Sequence, residues 1–165
     1  MVDYALSNNR IMGMIQKKEN EEFFNIGCLG KITSFTETQD GKYQISLQGL
    51  NRFFYKKKIK TDYNFITIDA NILKTNKNIV DKNSINKELL SSFKKFLKVK
   101  KINYDTSEFE GLEPSRLAKI ICVISPLDYL IKQMLLEFES DEDLCTNLIS
   151  VLEIEMQNLE NLKVN

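Results

Sequence analysis

No histidine occurs anywhere in the 165 residues, and that absence removes much of ordinary enzyme chemistry. Ser–His and Cys–His nucleophile pairs cannot be built, and the commonest general base at neutral pH is missing. Carboxylates and lysines remain, but no pattern among them proposes a reaction, so a non-enzymatic protein is expected. Cysteine is scarce: Cys28, Cys122 and Cys145 are odd in number and widely spaced, with no Cys-x-x-Cys pair. A zinc site of nitrogen and sulfur ligands has no ligand set to draw on. Free, buried thiols in a reducing cytoplasm are the expectation.

Glycine is sparse too, and Gly27-x-x-Gly30 lacks the Gly-Lys-Ser/Thr ending of a phosphate loop and falls within strands, so nothing supports ATP binding. The longest apolar runs, such as Ile120 to Ile124, are far too short to cross a bilayer. The amino terminus has no basic region followed by an apolar run, so no secretory signal is read and a cytoplasmic location is predicted. Acidic residues crowd Glu139 to Asp143 and Glu153-x-Glu155, yet without the glycine bend and oxygen spacing of a hard-cation loop. They read as a polar helix face, and neither a metal nor a cofactor is expected.

Net charge is zero, but its halves differ. Residues 1–83 carry 13 Lys+Arg against 9 Asp+Glu, and residues 84–165 carry 10 against 14. The chain is dipolar, basic first and acidic last. An apolar fraction of 42% is that of a globular protein rather than a disordered one.

What the chain does have is a strong hairpin signal. Asp40-Gly41 predicts a tight primed turn, because such turns need positive φ and this pair supplies it cheaply. Before it, Ile32, Ser34 and Thr36 alternate with Thr33, Phe35 and Glu37. After it, Tyr43, Ile45 and Leu47 alternate with Gln44, Ser46 and Gln48. That period of two predicts a half-buried strand pair. Gly49 reads as a break, and Arg52-Phe53-Phe54-Tyr55 as a restart running to Lys60. Gly27 and Gly30 mark a bulge or a close backbone approach. Upstream, Met1 to Asn8 reads as helical turns with Val2, Ala5 and Leu6 inward. Ile11 to Gln16 reads as a strand apolar enough to be buried on both faces. Lys17 to Glu22 is a charged loop, Tyr63 to Leu73 a further strand, and Lys74 to Asn83 a linker.

From Ser84 the period becomes 3.6. Ser84 reads as a helix N-cap, followed by Leu89, Phe93, Phe96 and Leu97 on one stripe. Residues 102–111 form a connector with one short helical turn. Pro114 opens a helix bearing Leu117, Ile120, Ile121 and Ile124. Ser125-Pro126-Leu127-Asp128 reads as the next start, with Ser125 as cap and Pro126 at the first position. Ser140 with Asp143 starts the last helix, whose stripe carries Leu144, Leu148, Val151, Leu152 and Leu159. Strands first and helices after predict an α+β fold: a β-rich lobe over 1–83 and a helical bundle over 84–165.

Gly27, Gly30, Ile32, Ile45, Leu47, Gly49, Arg52 and Phe53 follow a Gly-x-x-Gly-x-Ile … Ile-x-Leu-x-Gly … Arg-Phe order that resembles the LON substrate-binding domain, the amino-terminal module of Lon-type proteases. Leu6 to Gln16 is similar to its helix end and following strand. Ser125-Pro126-Leu127-Asp128 with Lys132-Gln133 and Leu135-Leu136-Glu137 is similar to its helical half. The resemblance implies an antiparallel β lobe of PUA-like pseudo-barrel form, followed by a bundle. It also implies leading Pro-Leu-Phe-Pro-like and Phe-Glu-Pro-Arg-Tyr-like stretches that are not in this sequence: either the sequence begins late or those strands are lost, and a strand left without that neighbour would expose an edge. By function it implies binding of unfolded or extended polypeptide, as an adaptor to a protease or chaperone, with the ATPase and peptidase modules absent.

The expected binding surface is apolar and aromatic-rimmed, between the lobes. Phe54 is the first candidate, because its parity sets it opposite Phe53; Tyr63 and Phe65 follow, though both could equally be core. The rival reading is an RNA-binding PUA-like module using Lys56, Lys57 and Lys58 beside aromatic residues. Zero net charge weighs against it, and these lysines serve equally well as a solvated strand face.

Overall fold

The computed structural model describes residues 1–20 and 22–164. Glu21, inside the charged loop expected at 17–22, lies outside the described residues. The chain divides into two compact units, Met1–Lys74 and Thr75–Asn165.

The first unit opens with helix α1 (Val2–Leu6), followed by β1 (Ile11–Met14), β2 (Ile26–Glu37), β3 (Tyr43–Ile59) and β4 (Thr67–Ile72). The strands form one antiparallel sheet in the order β1-β2-β3-β4. Val2, Ala5 and Leu6 of α1 pack with Met12, Ile32 and Ile45, as the spacing of small and apolar residues at the start of the chain predicts. The β2–β3 turn differs in kind from the tight primed turn. Gly41 takes φ +75° but Asp40 does not leave the ordinary region. Thr38 N–H donates to the Lys42 carbonyl at 2.8 Å and Gly41 N–H to the Thr38 carbonyl at 2.9 Å. A longer loop results, with a single left-handed residue at its end. The Asp40 carboxylate instead meets Lys42 Nζ at 2.6 Å.

Gly49 does not break the second arm. β3 runs unbroken through it, and the disturbance appears as a register shift: Gly30 pairs with Gly49 while Leu29 pairs with Asn51. A bulge accommodates the extra residue without ending the ladder. β4 is shorter than expected, beginning at Thr67, so Tyr63 and Phe65 precede it. The strand at Ile11 is not buried on both faces. It is a sheet edge in which only Met12 is buried, while Met14 is 52% exposed. An apolar run alone cannot tell a central strand from an edge that lines a groove.

The second unit holds α2 (Lys82–Val99), a short 3-10 turn (Ser107–Phe109), α3 (Pro114–Ile124), α4 (Tyr129–Glu137) and α5 (Asp141–Val164). Its core is the stripe set by the 3.6 period, with Leu89, Phe93, Phe96, Leu117, Ile121 and Leu148 fully buried. The stretch read as a linker belongs to this unit from Thr75 onward. Asn76 bridges to Ser140, with Asp141 N–H donating to the Asn76 carbonyl at 2.9 Å, and Ile79 packs on the core.

Two helix starts move. Asp81, not Ser84, caps α2, its carboxylate accepting Ser84 N–H at 3.0 Å. Asp128, not Ser125, caps α4, accepting Leu130 N–H at 2.8 Å, while Ser125 ends α3. In both places the sequence offers two capping residues three positions apart, and the helix takes the carboxylate, whose charge also suits the amino-terminal dipole. Ser140 accepts Asp143 N–H at 3.0 Å and donates to its carboxylate at 2.6 Å, as the spacing predicts.

Candidate functional site

The first unit carries an open groove of about 470 Å³. One side is β1, contributing Ile11, Met12, Gly13 and Met14; the other is the approach to β4, contributing Phe65, Ile66, Thr67 and Ile68. Met1, Tyr4 and Ala5 of the amino-terminal segment close one end, and Phe23 and Lys17 lie at the other. Phe53 forms part of the lining. It can lie so close to the backbone only because Gly27 faces it across the β2–β3 ladder. Among the described residues, Lys17 and Tyr4 are the ionisable side chains of the lining, Met1 adds the amino terminus, and no Asp or Glu contributes.

Tyr63 and Phe65 stack with ring centroids 5.0 Å apart and an interplanar angle of 6°. Tyr4 leans on both, at 4.9 Å and 5.4 Å. Tyr63 is 50% exposed, Phe65 half-buried. These two sequence candidates are therefore brought together on the groove's rim, with Tyr4 as a third ring that sequence reasoning missed. Its place on a five-residue helix gave no periodic signal. Ile11 and Met14, 37% and 52% exposed, were also missed, because a continuous apolar run does not tell which of its residues face outward.

Phe54 is placed elsewhere. It pairs with Ile26 on one side and Asn71 on the other, on the sheet face opposite Phe53, and is 41% exposed. It does not line the groove.

Lys56, Lys57 and Lys58 are all exposed. A register shift between Tyr55 and Lys57 interrupts their alternation, so the three do not share one regular face. Lys57 pairs with Asp69 in the ladder. The Lys58 ammonium lies 4.9 Å from the centroid of Phe23, a ring that also meets Tyr55 edge-on at 5.5 Å. Such a contact holds a cation against an aromatic face, and it brings a second positive charge to the Lys17 end of the groove.

Elsewhere the chemistry is quiet. Cys28, Cys122 and Cys145 are free. Burial pushes the Cys122 thiol up to about 12 and the Cys145 thiol up to about 11, far from the range of a nucleophilic thiolate. Cys28 is raised too, chiefly by burial, with the Leu50 backbone and Arg52 opposing. Among the described residues no cluster of His, Cys, Asp and Glu is placed to hold a metal ion. No helix among them is long and apolar enough to cross a membrane.

The family model of the ATP-dependent protease La (LON) substrate-binding domain matches residues 1–153. The chain is 27% identical over 152 residues to Lon protease of Brevibacillus choshinensis, covering 88% of this chain and 19% of that protein. It is 24% identical over 165 residues to Lon protease of Bacillus thuringiensis (strain Al Hakam), covering 94% and 21%. It therefore spans about a fifth of the length of these curated relatives. Among solved structures, the N-terminal domain of the Mycobacterium avium complex Lon protease superposes with a TM-score of 0.75 at 16% identity, over 92% of this chain and 82% of that one. A Lon N-terminal domain protein from Xanthomonas campestris superposes with a TM-score of 0.58 at 12% identity, over 85% and 88%. At such identities the superpositions speak for the α+β fold.

Proposed function

The chain belongs to the ATP-dependent protease La (LON) substrate-binding domain family, and on that footing we propose that it holds unfolded or extended polypeptide without transforming it. The observation that carries this reading is the apolar groove of the first unit, rimmed by the Tyr63–Phe65 stack and with no acid among its described lining residues. Exposed aromatic rings on a rigid scaffold supply large contact area at low entropic cost, which suits a surface that must accept many sequences. A chain with no histidine and with thiols held protonated offers little for catalysis. We assign it the role of an adaptor that presents polypeptide to a protease or chaperone. Its free thiols fit a reducing cytoplasm.

The test uses a reduced, carboxymethylated protein that stays unfolded in buffer, labelled for fluorescence anisotropy. Wild type binds it. Tyr63→Ala and Phe65→Ala each weaken binding by about tenfold, the size expected for an aromatic anchor. Phe54→Ala, on the other face, reports whether that ring is a second contact. Failure of the wild type to bind, or wild-type affinity in both Tyr63→Ala and Phe65→Ala, overturns the reading. So does salt-sensitive binding of single-stranded RNA that disappears when Lys56, Lys57 and Lys58 become Gln.

A further inference from the structure

Charge is divided unevenly within the second unit. Residues 75–101 carry 8 Lys+Arg against 2 Asp+Glu, whereas residues 102–165 carry 4 against 13. The cations gather on one side of α2. Its buried side is Leu89, Ser92, Phe93, Phe96 and Leu97. At 3.6 residues per turn the opposite side carries Lys87, Ser91, Lys94, Lys95 and Lys98, all exposed. Glu88, the one acid of α2, falls at the edge of this stripe. Lys82 and Lys100, nearer the core side, are held by Glu113 at 2.8 Å and Glu155 at 3.5 Å. Among the described residues no ion pair occupies Lys87, Lys94, Lys95 or Lys98.

The stripe ends at an open depression of about 360 Å³ between α2 and α5. Lys95, Lys98 and Val99 contribute to it from one helix, and Glu153, Met156 and Gln157 from the other. Val99 and Met156 are its apolar members, and lysine stems add methylene surface while their ammonium groups stay in water. Lys87 and Lys98 stand eleven positions apart, about 17 Å along the axis.

Unpaired cations leading to an apolar notch specify a ligand that is acidic along its length and apolar at one point. Two features favour protein over nucleic acid. α2 exposes no aromatic ring on which a base could stack, since Phe93 and Phe96 are fully buried. The rest of the unit is acidic, so a long rod with one charge per about 1.7 Å is repelled beyond the stripe, whereas a few carboxylates meet only the lysines. A small anion would fill the depression and leave Lys87 and Lys94 unmet.

We propose that the α2 stripe docks an acidic segment of another protein, with carboxylates along Lys87, Lys94 and Lys98 and a large apolar side chain in the α2–α5 depression. This surface lies in the second unit and does not rest on the groove reading above. In an extended chain alternate side chains stand roughly 7 Å apart, so three carboxylates and a following apolar residue span the stripe and reach the depression.

The probe is a blocked peptide, Leu-Ser-Glu-Ser-Glu-Ser-Glu-Ser-Leu, which offers a leucine to the depression in either chain direction. It is titrated into the isotopically labelled full chain at low ionic strength, where exposed charges are least screened, and followed by amide chemical shifts. Shifts are expected over residues 87–99 and 153–157. Replacing both leucines by serine should weaken binding about tenfold, the size of one buried aliphatic side chain. Lys94→Gln with Lys98→Gln should weaken it about fivefold at unchanged Tm. The reversed pair, Lys94→Glu with Lys98→Glu, should reject this peptide and take up a version with lysine in place of glutamate, an exchange that loss of folding cannot mimic.

The proposal falls if wild type shows no shifts, if they gather elsewhere, if the leucine-free peptide binds equally, or if the reversed pair does not trade one peptide for the other. It falls too if a single strand of roughly twenty nucleotides binds the same lysines more tightly than the peptide, or if sedimentation finds a dimer that Lys94→Gln with Lys98→Gln dissolves. Nucleic acid or a second copy would then be the occupant. The peptide comparisons on wild type decide even where a variant does not fold.

Discussion

Gly27 and Phe53 face each other across the β2–β3 ladder, and the Phe53 ring fills the space where a side chain at Gly27 would begin. A Cβ there would also lie 2.6 Å from the Met14 carbonyl oxygen. Glycine is required here for close approach, not for an unusual φ. The same approach lets Phe53, 1% exposed, form part of the groove's lining. The stability of the sheet and the shape of the candidate site are thus set by one pair.

Gly27→Ala is accordingly expected to cost about 1–3 kcal/mol, because a backbone carbonyl and a packed ring must both shift. Gly49→Ala meets only the Cys28 sulfur at 3.8 Å and should be neutral or stabilising by about 0.5 kcal/mol through the unfolded chain. Urea unfolding followed by tyrosine fluorescence separates the two. Equal effects would show that the Phe53 ring is free to move aside.

Asp81→Ala should cost the helical unit about 1 kcal/mol by orphaning the Ser84 N–H, whereas Ser84→Ala should be nearly silent. Ser140→Ala should resemble Asp81→Ala, since it removes the acceptor of Asp143 N–H. Far-ultraviolet circular dichroism during denaturation reads all three. A larger loss at Ser84 than at Asp81 would return the cap to the serine.

The buried thiols make stability depend on alkaline pH. Cys122 and Cys145 are raised from an ordinary 9.0 to about 12 and about 11, in both cases mainly by burial. The folded chain therefore keeps protons that the unfolded chain releases. Their contribution is complete below pH 9 and is lost as pH rises through about 11 and then about 12. Between pH 9 and 11, each should lower stability by about 1 kcal/mol per pH unit. The Cys122→Ala, Cys145→Ala double variant should show a shallower alkaline decline in urea midpoint than wild type. Parallel curves for the two proteins would mean the thiols ionise as easily folded as unfolded.

Much of the fold was legible because side-chain period is a local property. The stripe at Leu89, Phe93, Phe96 and Leu97 is buried as spaced, and the hairpin arms pair about a turn near Asp40-Gly41. Local competition was harder to read. Ser84 and Asp81 both suit a cap, and so do Ser125 and Asp128; which one wins depends on where the first helical turn is pulled by its packing. Tyr63 and Phe65 were candidates by residue type, but alternation alone put them inside a strand, whereas they precede it and stack on Tyr4. Phe54 was correctly set opposite Phe53, yet parity says nothing about where the groove lies.

The amino-acid sequence by itself determined the element types, the α+β order and the absence of histidine chemistry, because each depends on neighbours in the chain or on composition. Only the tertiary structure decided that β1 is an edge, that Phe53 nests against Gly27, and that Tyr4 joins Tyr63 and Phe65 on one rim. Those facts arise from pairings between residues far apart in sequence. Their energies come from surface buried jointly by both partners, and no local period encodes them.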